Sequence, residues 1–464
     1  MTFFGDVTHV IVDGAAGLAP PGSPLAIVAG VSDSGTIGDA LLIGKEGDFS
    51  SLGVGPLVDR LRDIQAAGDK TLNVVAVRVT EIGAGTIGTI TETKTGTGTQ
   101  VASGTPKRFA HVIVIATLDG ENGVAKVKVS LDGGKNFTPE EVIPGTGFLV
   151  LGDTGVQLDF TDAVPPEDSV DIGDKWEFFI TEPTTTLAQT LTDIATALTT
   201  YAPSIVYVVG ESDPTDWTAA AQEASDRFDA GNPTWFLMES ALPDVLTGET
   251  LAAWVTARVA EVFEDLWVSV CAGYGRISRA GTNENIRRNV AGVNLGRLAS
   301  IPVQRSIGRV ADGNLTGVEL MDDFSNTEAK TLDDKGFTSL RTYNGLAGVY
   351  FSNGRMKAAA ASDYQFQEIV RVVHKAVSET RVEALTGIQQ DVDEVALQSM
   401  KGRMERPLDR MTATRPPEIL GYLLDIPEGQ DVVNNGLEYT LDLEGVPVVR
   451  NIKISVRFKF GEVV

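Results

Sequence analysis

Residues 54–80 read VGPLVDRLRDIQAAGDKTLNVVAVRVT, and this stretch decides the fold. Pro56 suits a first helical turn, where its missing N–H has no partner to lose. Leu57, Leu61 and Ile64 then recur on one face at helical spacing. Gly68 offers a left-handed stop. Leu72–Val79 is a nearly continuous apolar run, the pattern of a strand buried on both faces. Upstream, PLAIVAGVSDSG at 24–35 is a second apolar strand that ends in a polar turn. The unit predicted is β-α-β.

The same rhythm returns further along. Leu187, Leu191, Ile194 and Leu198 mark a helix, and SIVYVVG at 204–210 a strand. A helix opened by Asp213 or Thr215 leads to the strand TWFLMES at 234–240. Another helix at 247–265 precedes the strand LWVSVCAG at 266–273, and residues 283–301 read as a closing helix. Continuous apolar strands alternating with amphipathic helices imply a parallel sheet covered on both faces.

Composition shifts between these blocks. Residues 83–183 are Gly- and Thr-rich, and their strand-like runs include RFAHVIVIATLDG at 108–120 and VAKVKVSLDGGKNF at 124–137. They read as an all-β module inserted into the α/β domain. From residue 336 the character changes again. A strand-like stretch precedes a long helix with Phe366, Ile369, Val370, Val373 and Val377 on its apolar face, and a second helix is expected over Asp391–Met404.

The expected fold class is a multidomain mixture of α/β and α+β: a parallel-sheet domain over 21–82 and 184–335, the β-rich insertion at 83–183, and an α+β C-terminal domain over 336–464. Residues 1–20 read as an N-terminal arm and 447–464 as a C-terminal arm.

The chain has 464 residues, 42% of them hydrophobic and 22% charged, values that fit a globular protein with a sizeable core. Its net charge of −25 argues against a nucleic-acid binder. A single cysteine, Cys271, excludes an intramolecular disulfide framework and fits a reducing compartment. The start lacks the basic and apolar segments of a signal peptide. No apolar run approaches the roughly 18 residues of a membrane span. These features lead to the expectation of a soluble protein made in a cytoplasm.

The parallel-sheet block invites a test for enzyme chemistry. Gly83-Ala84-Gly85-Thr86-Ile87-Gly88 is a formal GxGxxG after a strand. A dinucleotide site requires those glycines to open a helix, with an acid about 20 residues on. The continuation is poor helix material and holds no acid between Glu92 and Asp119, so a glycine-rich hinge into the insertion accounts for it better. Lys45 lacks the flanking residues of a phosphate loop. Cys271 with His374 is conceivable as a nucleophile and base, against the simpler reading of a small buried apolar residue. The three histidines, His9, His111 and His374, fit no zinc spacing, and the pairs Asp322-Asp323 and Asp333-Asp334 read as polar turns. Neither a catalytic group nor a cofactor is expected.

The ends carry a different signal. Ile452, Ile454, Val456, Phe458 and Phe460 alternate with polar residues as in a half-buried strand, and Val10, Ile11 and Val12 form a short one near the start. Burying those five residues is worth about 1.5–3 kcal/mol each. Fixing the backbone costs roughly 1–2 kcal/mol per residue. A single donated strand is therefore close to neutral, and many in register give a polymer. A Pro/Gly tract between Asp13 and Pro24 would let such a joint stretch.

These stretches resemble the tail sheath proteins of contractile phage tails and of related pyocin and injection-type particles. Residues 25–79 are similar to that family's N-terminal signature of strand, helix and strand. Residues 341–379 resemble its C-terminal signature, with Arg341, Gly354-Arg355, Asp363-Tyr364 and Arg371 at the matching positions. The resemblance implies a helical homopolymer around an inner tail tube, bounded by baseplate and tail terminator proteins and able to contract. It also implies that the terminal arms add strands to neighbouring subunits and that the inserted domain faces outward. On this reading the long helix faces the tube, through Glu368, Arg371, Lys375 and Glu379. The alternatives are another structural component, such as a tube or baseplate protein, and a nucleotide-dependent α/β enzyme.

Overall fold

The computed structural model describes residues 26–44, 46–68, 72–321, 323–388, 393–427, 430, 437–453 and 455. Two compact units divide the chain, one running to His374 and the other starting at Lys375.

In the first unit β1 (Ala26–Gly30) and β2 (Ala40–Ile43) precede α1 (Pro56–Ala67) and β3 (Val74–Arg78). The amide of Leu57 donates to the carbonyl of Val31, so α1 springs directly from the end of β1. Gly55 makes that corner with φ 154°, where an added Cβ would lie 2.8 Å from the Val31 carbonyl. Gly68 ends the helix, but in extended conformation (φ −81°, ψ 169°), not in the left-handed one expected. Glycine is needed there for space, because a Cβ would sit 2.8 Å from the Ile64 carbonyl.

The insertion holds eight strands: β4 (Thr91–Thr93), β5 (Thr99–Gly104), β6 (Ala110–Leu118), β7 (Lys126–Ser130), β8 (Glu141–Val142), β9 (Phe148–Val150), β10 (Val156–Thr161) and β11 (Lys175–Ile180). They form two antiparallel sheets, β4-β11-β6-β7-β8 and β5-β10-β9. Alternation sends one side of β6, β10 and β11 into a core of its own, where Phe160 meets Trp176 edge-on at 5.1 Å. Gln100 accepts from the buried Trp176 indole at 2.9 Å.

The chain then continues through α2 (Leu187–Tyr201), β12 (Ile205–Ser212), α3 (Pro214–Asp229), β13 (Trp235–Ser240), α4 (Leu251–Ala260) and β14 (Val268–Cys271). Asp213 caps α3, accepting from Thr215 and Asp216 in a capping box. A three-stranded sheet follows, of β15 (Tyr274–Ser278), β16 (Asn285–Asn289) and β17 (Val318–Leu320), with α5 (Ala291–Ser300) between the last two strands. Residues 283–301 were expected to form one helix; the first part is β16, paired antiparallel with β15. Next come α6 (Asn326–Asp333), β18 (Phe337–Thr338) and the two-residue strands β19 (Leu340–Arg341) and β20 (Tyr350–Phe351).

The main sheet runs β18-β14-β13-β12-β1-β3-β2, parallel except for β2. Leu57, Leu61 and Ile64 of α1 and Val293, Leu295 and Leu298 of α5 cover one face. Helices α2, α3, α4 and α6 cover the other, through Ile194, Trp217, Trp254 and Leu332. On the first face Gly292 and Gly296 bring α5 against α1: a Cβ on Gly296 would stand 2.6 Å from the Ile64 carbonyl. Strand β18 belongs to this sheet, since Phe337 and Thr338 pair with Val270 and Cys271. Phe337 is fully buried against Trp217, and the compact unit extends to His374.

Helix α7 (Gln367–Leu385) ends in the second unit, which also holds α8 (Glu394–Ala413), β21 (Ile419–Asp425) and β22 (Thr440–Gly445). Met400 and Met404 pack with Leu424 as its core. Helix α8 outruns the expected end at Met404, passing through the buried Pro407.

Candidate assembly surfaces

The glycine-rich stretch at Gly83 opens no helix. Gly83 and Thr184 exchange backbone hydrogen bonds at 3.1 and 2.7 Å, Thr181 donates to Thr86, and Gly88 to Phe179. The entry and exit strands of the insertion thus lie side by side. A Cβ on Gly85 would come within 2.4 Å of the Thr181 carbonyl, so the glycines serve close backbone approach.

Cys271 is buried, accepts at 3.3 Å from the Asn294 amide, and burial pushes its thiol up to about 12. It stays protonated and unreactive at neutral pH. His374 is buried between Trp267 (4.9 Å) and Phe228 (6.2 Å), and burial lowers its pKa to about 4. His111 pairs with Glu177 at 2.8 Å. Asp333 accepts from Ser352 and Asn353, and Asp334 pairs with Lys330. Asp323 lies in a turn; His9, Lys45 and Asp322 lie outside the described residues. Among the described residues no group of three His, Cys, Asp or Glu side chains could hold a metal ion.

A cluster that no sequence motif announced joins the insertion to the sheet domain. Arg108 is buried, with Asp153 at 2.6 Å and Glu284 at 3.0 Å. Arg279 bridges Asp153 at 2.6 Å and Asp59 at 2.8 Å. Next to it Arg60 pairs with Glu182 and Glu239, both at 2.9 Å, and Arg288 with Asp63. Burial pushes the Asp59 carboxyl up, but Arg288, Arg279 and Arg108 outweigh it and bring the pKa to about 2.

Helix α7 places the four residues expected to face a tube in two settings. Arg371 donates to the carbonyls of Leu298 (2.9 Å), Ile301 (3.2 Å) and Pro302 (3.5 Å), satisfying the end of α5, and Glu368 is buried. Both are interior groups in this chain. Lys375 and Glu379 are half-buried: Lys375 pairs with Glu418 at 2.6 Å, and Glu379 faces Arg410 at 3.6 Å. Exposed apolar residues stand at the end of this helix and just past it: Val382, Leu385 and Ile388.

The second unit presents a sheet of two strands, β21 and β22, paired antiparallel from Ile419↔Gly445 to Asp425↔Thr440. Among the described residues nothing pairs with either outer edge. Leu420 and Leu423 are exposed on β21, the latter 60%. Past β22, Val449 and Ile452 are exposed at 76% and 75%, outside any strand. Val10, Ile11, Val12, Ile454, Val456, Phe458 and Phe460 lie outside the described residues.

The sequence matches the DUF2586 N-terminal domain over residues 4–355 and the DUF2586 C-terminal domain over 363–461. The chain belongs to the DUF2586 family. No curated protein matches it. Among solved structures this DUF2586 chain is similar to a sheath tail protein from Desulfitobacterium hafniense, at 12% identity and TM-score 0.50, over 95% of this chain and 100% of that one. It is also similar to the PVC sheath complex of an extracellular contractile injection system in its contracted state. There the identity is 10% and the TM-score 0.54, with 98% of each chain covered. The helical sheath of the anti-feeding prophage, again contracted, matches at 11% identity and TM-score 0.50, over 98% of this chain and 99% of that one. At these identities the likeness shows a shared fold: the DUF2586 chain has the fold of contractile sheath proteins.

Proposed function

We propose that this protein is the structural subunit of a contractile tail sheath. It polymerises into a helical cylinder around an inner tail tube and shortens to drive that tube through a target envelope. The observation that carries the reading is the two-stranded sheet of β21 and β22, open at both outer edges among the described residues. A sheet of two strands is marginal alone, and an open edge accepts an added strand. The segment at 452–460 has the alternation that such an acceptor requires, and 10–12 is a short apolar run of strand-forming residues. Sheath folds spanning nearly the whole chain support the same reading.

On this reading the chain's first partner is itself, and an inner tube, a baseplate and a terminator complete the particle, assembled in a host cytoplasm and resident in the tail. The insertion would face outward. Contact with the tube would fall to the second unit, where Lys375 and Glu379 stay partly exposed and Val382, Leu385 and Ile388 form an uncovered apolar stripe. Deleting residues 450–464 tests the reading: the truncated chain should remain soluble and form no cylinders in negative-stain images. Ordered tubes from the truncated chain would overturn it.

A further inference from the structure

Asp312 accepts from three arginines: Arg297 at 2.9 Å, Arg305 at 3.3 Å and Arg309 at 3.5 Å. Arg297 lies in the last turn of α5, and the other two stand on the loop that follows it. One carboxylate answers one of three guanidinium charges. Among the described residues no other acid pairs with these arginines. Two positive charges are therefore left over; the donors of Arg309 (46% exposed) and Arg305 (27%) reach solvent, while Arg297 (14%) backs them from beneath.

That excess stands out because the chain carries 63 acidic against 38 basic residues. Copies packed side by side repel one another, and what a neighbour mostly presents is carboxylate. A locally basic patch converts that repulsion into a directed attraction and fixes register.

We propose that Arg297, Arg305 and Arg309 form the receiving half of an ionic contact between copies of this chain, the other half being carboxylates of a second copy. The proposal rests on the assembly reading above. Asp312 holds the three side chains in a preset fan and leaves the outer N–H groups of Arg305 and Arg309 for the incoming acids, with the Arg297 charge behind them. A planar guanidinium suits this role better than an ammonium, because it binds a carboxylate in two-point fashion.

The test uses the purified full chain with no other protein, so that only copy–copy contacts operate. Sedimentation at rising salt gives the concentration needed for assembly. R305E/R309E should raise that concentration about tenfold or more and flatten its salt dependence, because the attraction it removes is the screened one. R305K/R309K, which keeps the charge, should stay closer to the native chain. The thermal midpoint of the dispersed subunit should be the same in all three; if the double reversal lowers it, R309E alone provides the reading. Assembly of the reversed variant at the native concentration, with the native salt dependence, would overturn the contact while leaving the sheath reading intact. A native chain that forms no cylinder at any concentration would overturn both.

Discussion

Arg279 and Asp153 meet at 2.6 Å, and through Arg279 the insertion is bonded to Asp59 on the first helix of the sheet domain. The residues that close this bridge come from three separate stretches of sequence. An inserted module tied only by its two connecting strands could swing. One that is also held by partly buried, charge-assisted hydrogen bonds is fixed in one orientation.

Removing one partner should therefore be costly. Arg279→Met leaves Asp59 buried beside fewer cations, and loss of about 3 kcal/mol is expected, in the range for breaking a buried pair. Urea unfolding of the native and variant chains measures it. Arg62→Met, on the same helix but partly exposed at 24%, should cost well under half as much.

The same cluster gives a pH dependence. The Asp59 pKa is lowered in the folded chain to about 2 from 3.8, so its contribution is complete above pH 3.8 and is lost as pH falls toward 2. Asp59→Asn should be less stable than the native chain at neutral pH by about 2 kcal/mol, and the gap should close across that acid window. A gap that stays constant down to pH 2 would contradict the assignment.

His374 works with the opposite group type and a different window. Its folded pKa of about 4 lies below the usual 6.5, so the unfolded chain takes up the proton first as pH falls. The folded state then loses stability progressively from about pH 6.5 to 4, by roughly 3 kcal/mol, and no further below. His374→Phe should flatten this part of the profile, because the ring lies among Trp267 and Phe228 and makes no hydrogen bond there.

Gly296→Ala tests the helix contact. The new methyl would stand 2.6 Å from the Ile64 carbonyl and 2.9 Å from the Ala67 methyl, so α1 and α5 must separate. Overpacking of this kind costs about 1–3 kcal/mol, visible as a lowered melting midpoint.

How much of this was legible in the sequence depends on how local the cause is. The apolar runs of β1, β3 and β13, the cap at Asp213 and the strand-like runs of β6 and β7 are fixed by neighbouring residues, and each formed at its expected place. Arg279 and Asp59 stand 220 residues apart, and nothing in either neighbourhood marks them as partners. Gly68 was read for its backbone freedom when what it supplies is room beside Ile64. The second helix was expected to stop at Met404, yet it runs on through Pro407, which is packed inside with Met404 and Leu408 buried beside it. The partners of Arg371 were not legible because helical spacing gives the face but not what covers it; the carbonyls at the end of α5 lie about 70 residues upstream. The residues beyond Ile452 carry the strongest strand alternation in the chain, and pattern alone leaves open which sheet they join.

The most direct measurement is a high-resolution electron-microscopy map of cylinders assembled from the full chain. The account expects residues 452–460 of one copy to run alongside β21 or β22 of another, with continuous backbone hydrogen bonds across copies. A map in which each tail pairs only with its own chain would contradict it.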